Sequence, residues 1–337
     1  FKVLCHYMPN LPGATPDDDV EMFDKAIFDD SIVCDEWKIY PTSVTTTSEK
    51  DIEDVHTVIE KWFIDGKYIP YPYEQLEEVI RYAKINCPKY IRISRIFRDI
   101  PVDNIIGGAE IPHMRQKIQK KMALDGEYCQ CIRCREIKNR NIVINNVWLD
   151  VETYPAQKGL EYFISANYYC CEEDKTFLVG FCRLRINDPN IYNNVLYILF
   201  TILTIVIIGI VFKLSLLKIV GFILISIAYS KKINNEEYLD FLPILKNAAI
   251  VRELHVYGKM VPSYLSKILE SNTQHKGIGT RLMKRAESIA KAQGARRIAV
   301  ISGVGVRGFY DKKLGYYLLN NYMVKDFWMS YIYNIFK

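Results

Sequence analysis

"QHKGIGTRLMKRAE", residues 274–287, sets two glycines and a lysine directly ahead of a stretch with helical periodicity. Glycine at positions 277 and 279 removes the Cβ atoms that would otherwise hold a ligand away from the backbone, so successive N–H groups can converge on one point. The first turn of the helix that follows contributes unpaired N–H donors and about half a positive charge. Such a turn receives an anion, and a phosphate suits it best. Gln274, Lys276, Gly277 and Gly279 fit the pattern Gln-x-x-Gly-x-Gly. A Walker loop would need Gly-Lys-Ser/Thr at this place, and the chain has Gly-Ile-Gly-Thr instead.

What flanks the loop excludes a dinucleotide fold as well. The strand-like "VRELHVYG" (251–258) precedes it, while a helix over 279–293 and the strand "RRIAVISG" (296–303) follow. Further upstream, "NVWLDVETY" (146–154), "LEYFISANYY" (160–169) and "TFLVGFCRLRI" (176–186) alternate apolar and polar residues, with the polar turn "CCEEDK" (170–175) between the last two. That pattern predicts an antiparallel meander rather than parallel βαβ units.

The first 140 residues read differently. An apolar start, "FKVLCHYMPNLPG" (1–13), is followed by an acidic helix over 16–28, the strand-like "EWKIYPTSV" (36–44), a helix over 52–63, the helical "YEQLEEVIRYAKIN" (73–86), the β-branched "YIRISRIFRDIP" (90–101) and a basic helix over 114–124. Strands alternating with helices predict α/β units. With no methionine and no capping signal ahead of the first strand, the chain is expected to begin inside a domain.

Charge is segregated along these regions. Residues 1–80 hold 6 Lys/Arg against 18 Asp/Glu, 81–140 hold 14 against 6, 141–230 hold 6 against 7, and 231–337 hold 18 against 8. Two basic blocks therefore flank a neutral middle. Clustered cations suit a polyanion such as RNA, because neutralised phosphates release counterions. Solvated charged faces are the competing explanation. The nine cysteines are odd in number and bunched, with no cleavable signal peptide ahead of them, which points to a reducing intracellular setting and to metal binding. Cys129, Cys131 and Cys134 form Cys-x-Cys-x-x-Cys, three thiolates able to grip one soft cation. A fourth ligand is unassigned, with Cys5, His6 and His113 as candidates.

Residues 195–229 are the anomaly. The 18 residues 195–212 carry no charge, and a second apolar run, 219–229, follows two lysines. The first run meets the length criterion for crossing a hydrocarbon layer of about 30 Å. A transmembrane hairpin, a buried helix and a retained intron are all open readings.

Taken in order, "HYMPNLPG" (6–13), "KIYPTSV" (38–44), "RISRIFRDIP" (92–101), "CQCIRCREI" (129–137), "VRELHVYG", the glycine loop, "IAVISGVGVRGFYDKKLGY" (298–316) and "YMVK" (322–325) resemble the catalytic subunits of Elongator complexes. The loop itself resembles the pyrophosphate loop of GNAT acetyltransferases. The resemblance covers nearly the whole chain apart from 191–243 and the last dozen residues. It implies the C-terminal part of a radical S-adenosylmethionine (β/α) barrel over 1–112, and a basic linker with the cysteine cluster over 113–142. A GNAT α+β domain over 143–190 and 244–325 then follows, interrupted by the apolar insert 191–243 and closed by an aromatic tail, 326–337.

The resemblance also implies roles. Glu253, Leu254, His255 and Val256 would line a splayed strand beside acetyl-CoA, with Gln274, Lys276, Gly277, Ile278, Gly279 and Thr280 at its pyrophosphate. Tyr310 would be the catalytic tyrosine near the thioester, although the family has two adjacent tyrosines where this chain has Phe309–Tyr310, and one extra residue falls among 311–313. A packed aromatic is the plainer reading of Tyr310, and an ordinary strand histidine that of His255. Cys129, Cys131 and Cys134 would bind zinc. Arg92, Arg95 and Arg98 would face RNA phosphates or cofactor, unless they are only an exposed cationic face. The implied activity is tRNA wobble-uridine modification to carboxymethyluridine from acetyl-CoA and S-adenosylmethionine. Its setting is the cytoplasm, with the nucleus or a membrane tether as alternatives, and its partners are tRNA and other Elongator subunits. No Cys-x-x-x-Cys-x-x-Cys for a 4Fe–4S cluster occurs in the 337 residues, so radical chemistry is not expected from this chain alone. A protein lysine acetyltransferase and a non-catalytic scaffold are the rival functions.

Overall fold

The computed structural model describes residues 2–46, 57–98, 100–109, 113–138, 140, 142–187, 243–245, 248–258 and 277–327. They divide into two compact units, one of residues 1–148 with 167–179 and 257–262, the other of the remainder.

In the first unit, strands β1 (Leu4–Tyr7), β2 (Glu36–Ile39) and β4 (Arg92–Ile96) form a parallel sheet in that order. The short strands β3 (Ser43–Thr45) and β5 (Ile105–Gly108) pair antiparallel beside it. Helix α1 (Pro16–Phe28) starts where the sequence dictates. Thr15 caps it in a reciprocal box with Asp18, Pro16 opens it, and Asp17, Asp18 and Asp19 complement its positive end. Helix α2 (Val58–Ile64) begins later than the sequence pattern predicts, and residues 47–56 lie outside the described residues. Helix α3 (Tyr73–Ile85) buries Leu76, Val79, Ile80 and Ala83, the positions expected from helical spacing. Phe23, Trp37, Ile39 and Ile93 are fully buried, and the rings of Tyr7, Phe23 and Trp37 pack at 5.4–5.9 Å. Helices α4 (Met114–Leu124) and α5 (Ile132–Arg135) both touch β4.

Strands β6 (Trp148–Ala156), β7 (Gly159–Cys170), β8 (Lys175–Ile186), β9 (Ala248–Val256), β10 (Arg297–Val300), β11 (Tyr317–Leu319) and β12 (Tyr322–Asp326) make a seven-stranded sheet, ordered β11-β12-β10-β9-β8-β7-β6. The predicted meander is present. Only β9 and β10 run parallel, because helix α6 (Ile278–Ala292) crosses between them. Helix α6 turns Ile278, Leu282, Met283, Ala286 and Ala290 inward, each at most 1% exposed. The last helix, α7 (Arg307–Leu314), ends on Gly315 in the left-handed conformation.

One expectation is corrected. No helix among the described residues is long and apolar enough to cross a membrane, and the longest, α6, has 15 residues and a polar outer face. A span needs about 20 apolar residues in one helix. The transmembrane assignment is therefore not supported by any helix among the described residues; residues 188–242, which contain the apolar run, lie outside them.

Replacing Leu282 by alanine removes a fully buried side chain from beneath the sheet. The expected loss is about 2–5 kcal/mol in denaturant unfolding, whereas Lys284→Ala on the exposed face should stay within about 0.5 kcal/mol.

Candidate active site and metal centre

The parallel pair β9–β10 is short. Arg297–Val300 align with Ala248–Val251, Ile301 N–H reaches Val251 O at 3.3 Å, and β10 then stops while β9 continues to Val256. Past Val251 the sheet opens. On its other side β9 stays paired to β8, with a one-residue bulge at Arg252 that twists the strand. Glu253 accepts from the fully buried Arg183 at 3.1 Å, Leu254 lies opposite Cys182, and the exposed His255 stacks on Phe181 at 5.9 Å. Arg183 lies 5.3 Å and 5.5 Å from the rings of Phe163 and Phe181. Buried Glu161 accepts from Arg252 at 3.0 Å and Arg185 at 3.2 Å, so the bulge is held by ion pairs shielded from water.

The N-terminus of α6 meets this opening. Gly277 sits before it at φ 81°, with nothing within 4 Å of where a Cβ would be. Gly279 packs more closely, since its Cβ would come 3.3 Å from Phe309 Cζ and 3.8 Å from Val256 Cγ2. Among the described residues no side chain caps the helix. The first-turn amides of such a helix have no intrahelical acceptor. The Ile278 side chain is buried, so only its backbone can serve, and Thr280 is half-buried. Gln274 and Lys276 lie outside the described residues.

Tyr310 projects from α7, is 4% exposed, and packs edge-on against Phe309 at 5.1 Å and Tyr316 at 5.9 Å. Burial, reinforced by the nearby Cys182 thiol, pushes its hydroxyl well above the ordinary tyrosine range, and among the described residues no hydrogen bond engages it. Sequence reasoning missed what braces it. Tyr316 donates to Glu287 at 3.0 Å, and Lys325 reaches both Glu287 oxygens at 3.0–3.1 Å and Leu314 O at 2.9 Å. Glu287 occupies a buried position of α6, and a carboxylate at an apolar position of a helical pattern was the available signal.

In the first unit the thiol sulfurs of Cys129, Cys131 and Cys134 lie within 4.8 Å of one another. Hydrogen bonds from Cys129 and Cys134 hold the Cys131 thiol well below its usual range. Neither Cys5, His6 nor His113 joins this group among the described residues. Lys84 does come close. It is fully buried, its Nζ has no hydrogen-bond partner among the described residues, and its charge acts on Cys129, Cys134 and Cys87. A buried ammonium without an acceptor is costly, so an orphaned amine beside three thiols fits a metal centre. The 337 residues hold no comparable cysteine set for an iron–sulfur cluster. Of the candidate arginines, Arg92 is committed to Glu136 and to Tyr257 Oη at 3.2 Å, while Arg95 and Arg98 are exposed.

Comparison with known proteins agrees with this division. The profile of the radical SAM C-terminal domain matches residues 34–123, and that of the acetyltransferase (GNAT) family matches 218–316. The chain joins a radical SAM C-terminal domain to a GNAT domain. It is 33% identical over 333 residues to the tRNA uridine(34) acetyltransferase of Methanocaldococcus jannaschii, covering 96% of this chain and 50% of that one. With Elongator complex protein 3 of Saccharomyces cerevisiae it shares 30% over 330 residues, 96% of this chain and 48% of that one. The solved structure of Elp3 from Methanocaldococcus infernus with an N-terminal deletion superposes with a TM-score of 0.69 at 30% identity, over 96% of this chain and 63% of that one. The chain therefore spans about half the length of the curated relatives it matches.

Gly277→Ala should cost about 1–2 kcal/mol, because an L side chain is strained in the left-handed region. Chemical unfolding beside Gly303→Ala, which has open space and no positive φ, reads the difference.

Proposed function

We propose that the GNAT domain holds acetyl-CoA for tRNA wobble-uridine modification, the acetyl group ending as the carboxymethyl substituent of the base. The observation that carries this reading is the uncapped N-terminus of α6 at the opening between β9 and β10. The backbone N–H groups of Ile278, Gly279 and Thr280 would donate to the diphosphate, with Gln274 and Lys276 beside them. Glu253 to Val256 would align with the extended pantetheine arm, as an added strand does at a sheet edge. Tyr310 would face the thioester, where its neutral hydroxyl donates to the sulfur as it leaves as a thiolate, or to the carbonyl oxyanion. No observation favours a lysine peptide as acceptor.

S-adenosylmethionine is the expected second reactant of a radical SAM domain, and its radical chemistry requires a cluster that these residues do not ligate. The metal read from Cys129, Cys131 and Cys134 is zinc, holding the linker together, with the Lys84 nitrogen in reach of the same thiolates either as a donor or as their counter-charge. The proposed partners are tRNA and other Elongator subunits in the cytoplasm or nucleus. Nine free thiols suit a reducing compartment.

Calorimetry with a non-hydrolysable CoA thioester tests the reading directly: binding is expected, and loss of the 5′-diphosphate from the probe should abolish it. Absence of heat with the intact thioester would overturn the site. Tyr310→Phe should retain thioester affinity while RNA-stimulated hydrolysis falls about 10²–10⁴-fold, the range for a lost acid. A raised tyrosine pKa keeps the donor protonated as pH rises, so activity should show no loss through about pH 10, where an ordinary tyrosine would ionise. Elemental analysis should find one zinc per chain, with metal retention under chelation falling about 10–100-fold in Lys84→Met.

A further inference from the structure

Tyr310 is held by one neighbour in two ways. The backbone N–H of Tyr316 donates to the Tyr310 carbonyl at 3.1 Å, and the two rings meet edge-on at 5.9 Å. Gly315, left-handed at φ 71°, turns the chain back so that Tyr316 can reach. Whatever fixes Tyr316 therefore fixes Tyr310.

Tyr316 is itself 1% exposed, and its hydroxyl donates to Glu287 Oε1 at 3.0 Å. Burial, with the Glu287 carboxylate beside it, pushes that hydroxyl well above the ordinary tyrosine range, so it stays a donor. Lys325 of β12 donates to both Glu287 oxygens at 3.0–3.1 Å and to the carbonyl of Leu314, at the end of α7, at 2.9 Å. Its ammonium also lies 5.5 Å from the Tyr316 ring. One buried carboxylate thus joins α6, α7 and β12.

Stability alone does not call for such a group. A buried ion pair gains little more by attraction than it loses in hydration, and apolar side chains of the same volume would hold the three elements together as well. Packed helices can slide past one another by small amounts, whereas hydrogen bonds set a distance and an angle. That difference matters where a reacting group must be placed, since a misplacement of about 1 Å can cost a reaction about 100-fold. Glu287 stands nine positions into α6 from Ile278, about 13 Å along the axis, on the same helix whose first turn is assigned to the diphosphate.

We propose that Glu287, Tyr316 and Lys325 are positioning residues for the thioester step, fixing the Tyr310 hydroxyl relative to the first turn of α6. Both ends of the bound thioester are then registered on one helix: the diphosphate by its first-turn amides, the acetyl end through the carboxylate of Glu287. The inference rests on the roles given above to Tyr310 and to that first turn, and it names the residues that act through Tyr310.

A double-mutant cycle on RNA-stimulated acetyl-CoA hydrolysis by the whole chain tests it. Tyr316→Phe keeps the ring and the backbone N–H and leaves Lys325 on Glu287, so the chain should stay folded. Its kcat should fall about 10–100-fold with KM for acetyl-CoA unchanged. In a Tyr310→Phe background the same change should cost nothing further, because the hydroxyl that it positions is already gone. Tyr317→Phe removes a hydroxyl bonded to Asp326 on the adjoining hairpin and should lower neither constant. Should Tyr316→Phe unfold, Glu287→Gln carries the same cycle, since it keeps an oxygen for Tyr316 and should show the same split with a smaller loss. Equal losses in both backgrounds, a raised KM with kcat unchanged, no loss at all, or an equal loss in Tyr317→Phe would overturn the positioning role and leave the acetyl-CoA site standing. Normal turnover by Tyr310→Phe, or no hydrolysis by the unsubstituted chain, would overturn the functional reading and this inference with it.

Discussion

The short parallel pairing of β9 with β10 governs the geometry of the second unit. Four residues of each strand align before the strands part, and the start of α6 lies against Val256 beyond that point. The bulge at Arg252 turns β9 away while its other edge stays bonded to β8, and Arg183 and Glu161 hold that bend from beneath with charges removed from water. Were β10 four residues longer, its backbone would take the place of a ligand. The opening also decides which glycine matters for what. Gly279 must be small because Phe309 and Val256 approach it, whereas Gly277 must be glycine because the chain turns left-handed as it enters the helix.

Much of this was legible in the sequence, for reasons that differ by element. Helix α1 was readable to the residue because its signals are local: a threonine cap, a proline and three aspartates in one turn. Strands β7 and β8 alternate too regularly to be mistaken. The glycine loop was legible as a helix start, since Gly277 takes the left-handed conformation that glycine permits. By contrast, the start of α2 was misplaced because its cap, Thr57, sits among polar residues that resemble a helix turn equally well. The apolar run over 195–229 lies outside the described residues, and no helix among those described is long and apolar enough to carry the transmembrane assignment.

Lys84 shows where sequence reasoning fails in kind. Within "RYAKIN" it is an ordinary helical lysine, and only the fold brings its amine to thiols 45–50 positions away. The search for a fourth partner among Cys5, His6 and His113 followed the chemistry of common zinc ligands. The structure instead offers a fully buried nitrogen without an acceptor among the described residues, which side-chain type would never nominate. Buried charge is informative here because it is expensive: a lysine would not stay in that place unless something anionic or metallic offset the loss of water.

The same reasoning separates two kinds of basic residue that the composition had merged. Arg92, Arg183, Arg185 and Arg297 each have a carboxylate partner, and their charge is spent within the fold. Lys38 and Arg95 have none among the described residues, although the alternation of β2 and β4 would have let an acid stand between them as Glu36 does one row away. A net count of lysines and arginines cannot make that distinction, since both groups contribute equally to it. Strand register can, because it states which charges face each other and therefore which ones the isolated fold would be better without. The basic block over 81–140 is thus part scaffold and part surface, and the share left without a carboxylate among the described residues is set by pairing rather than by abundance.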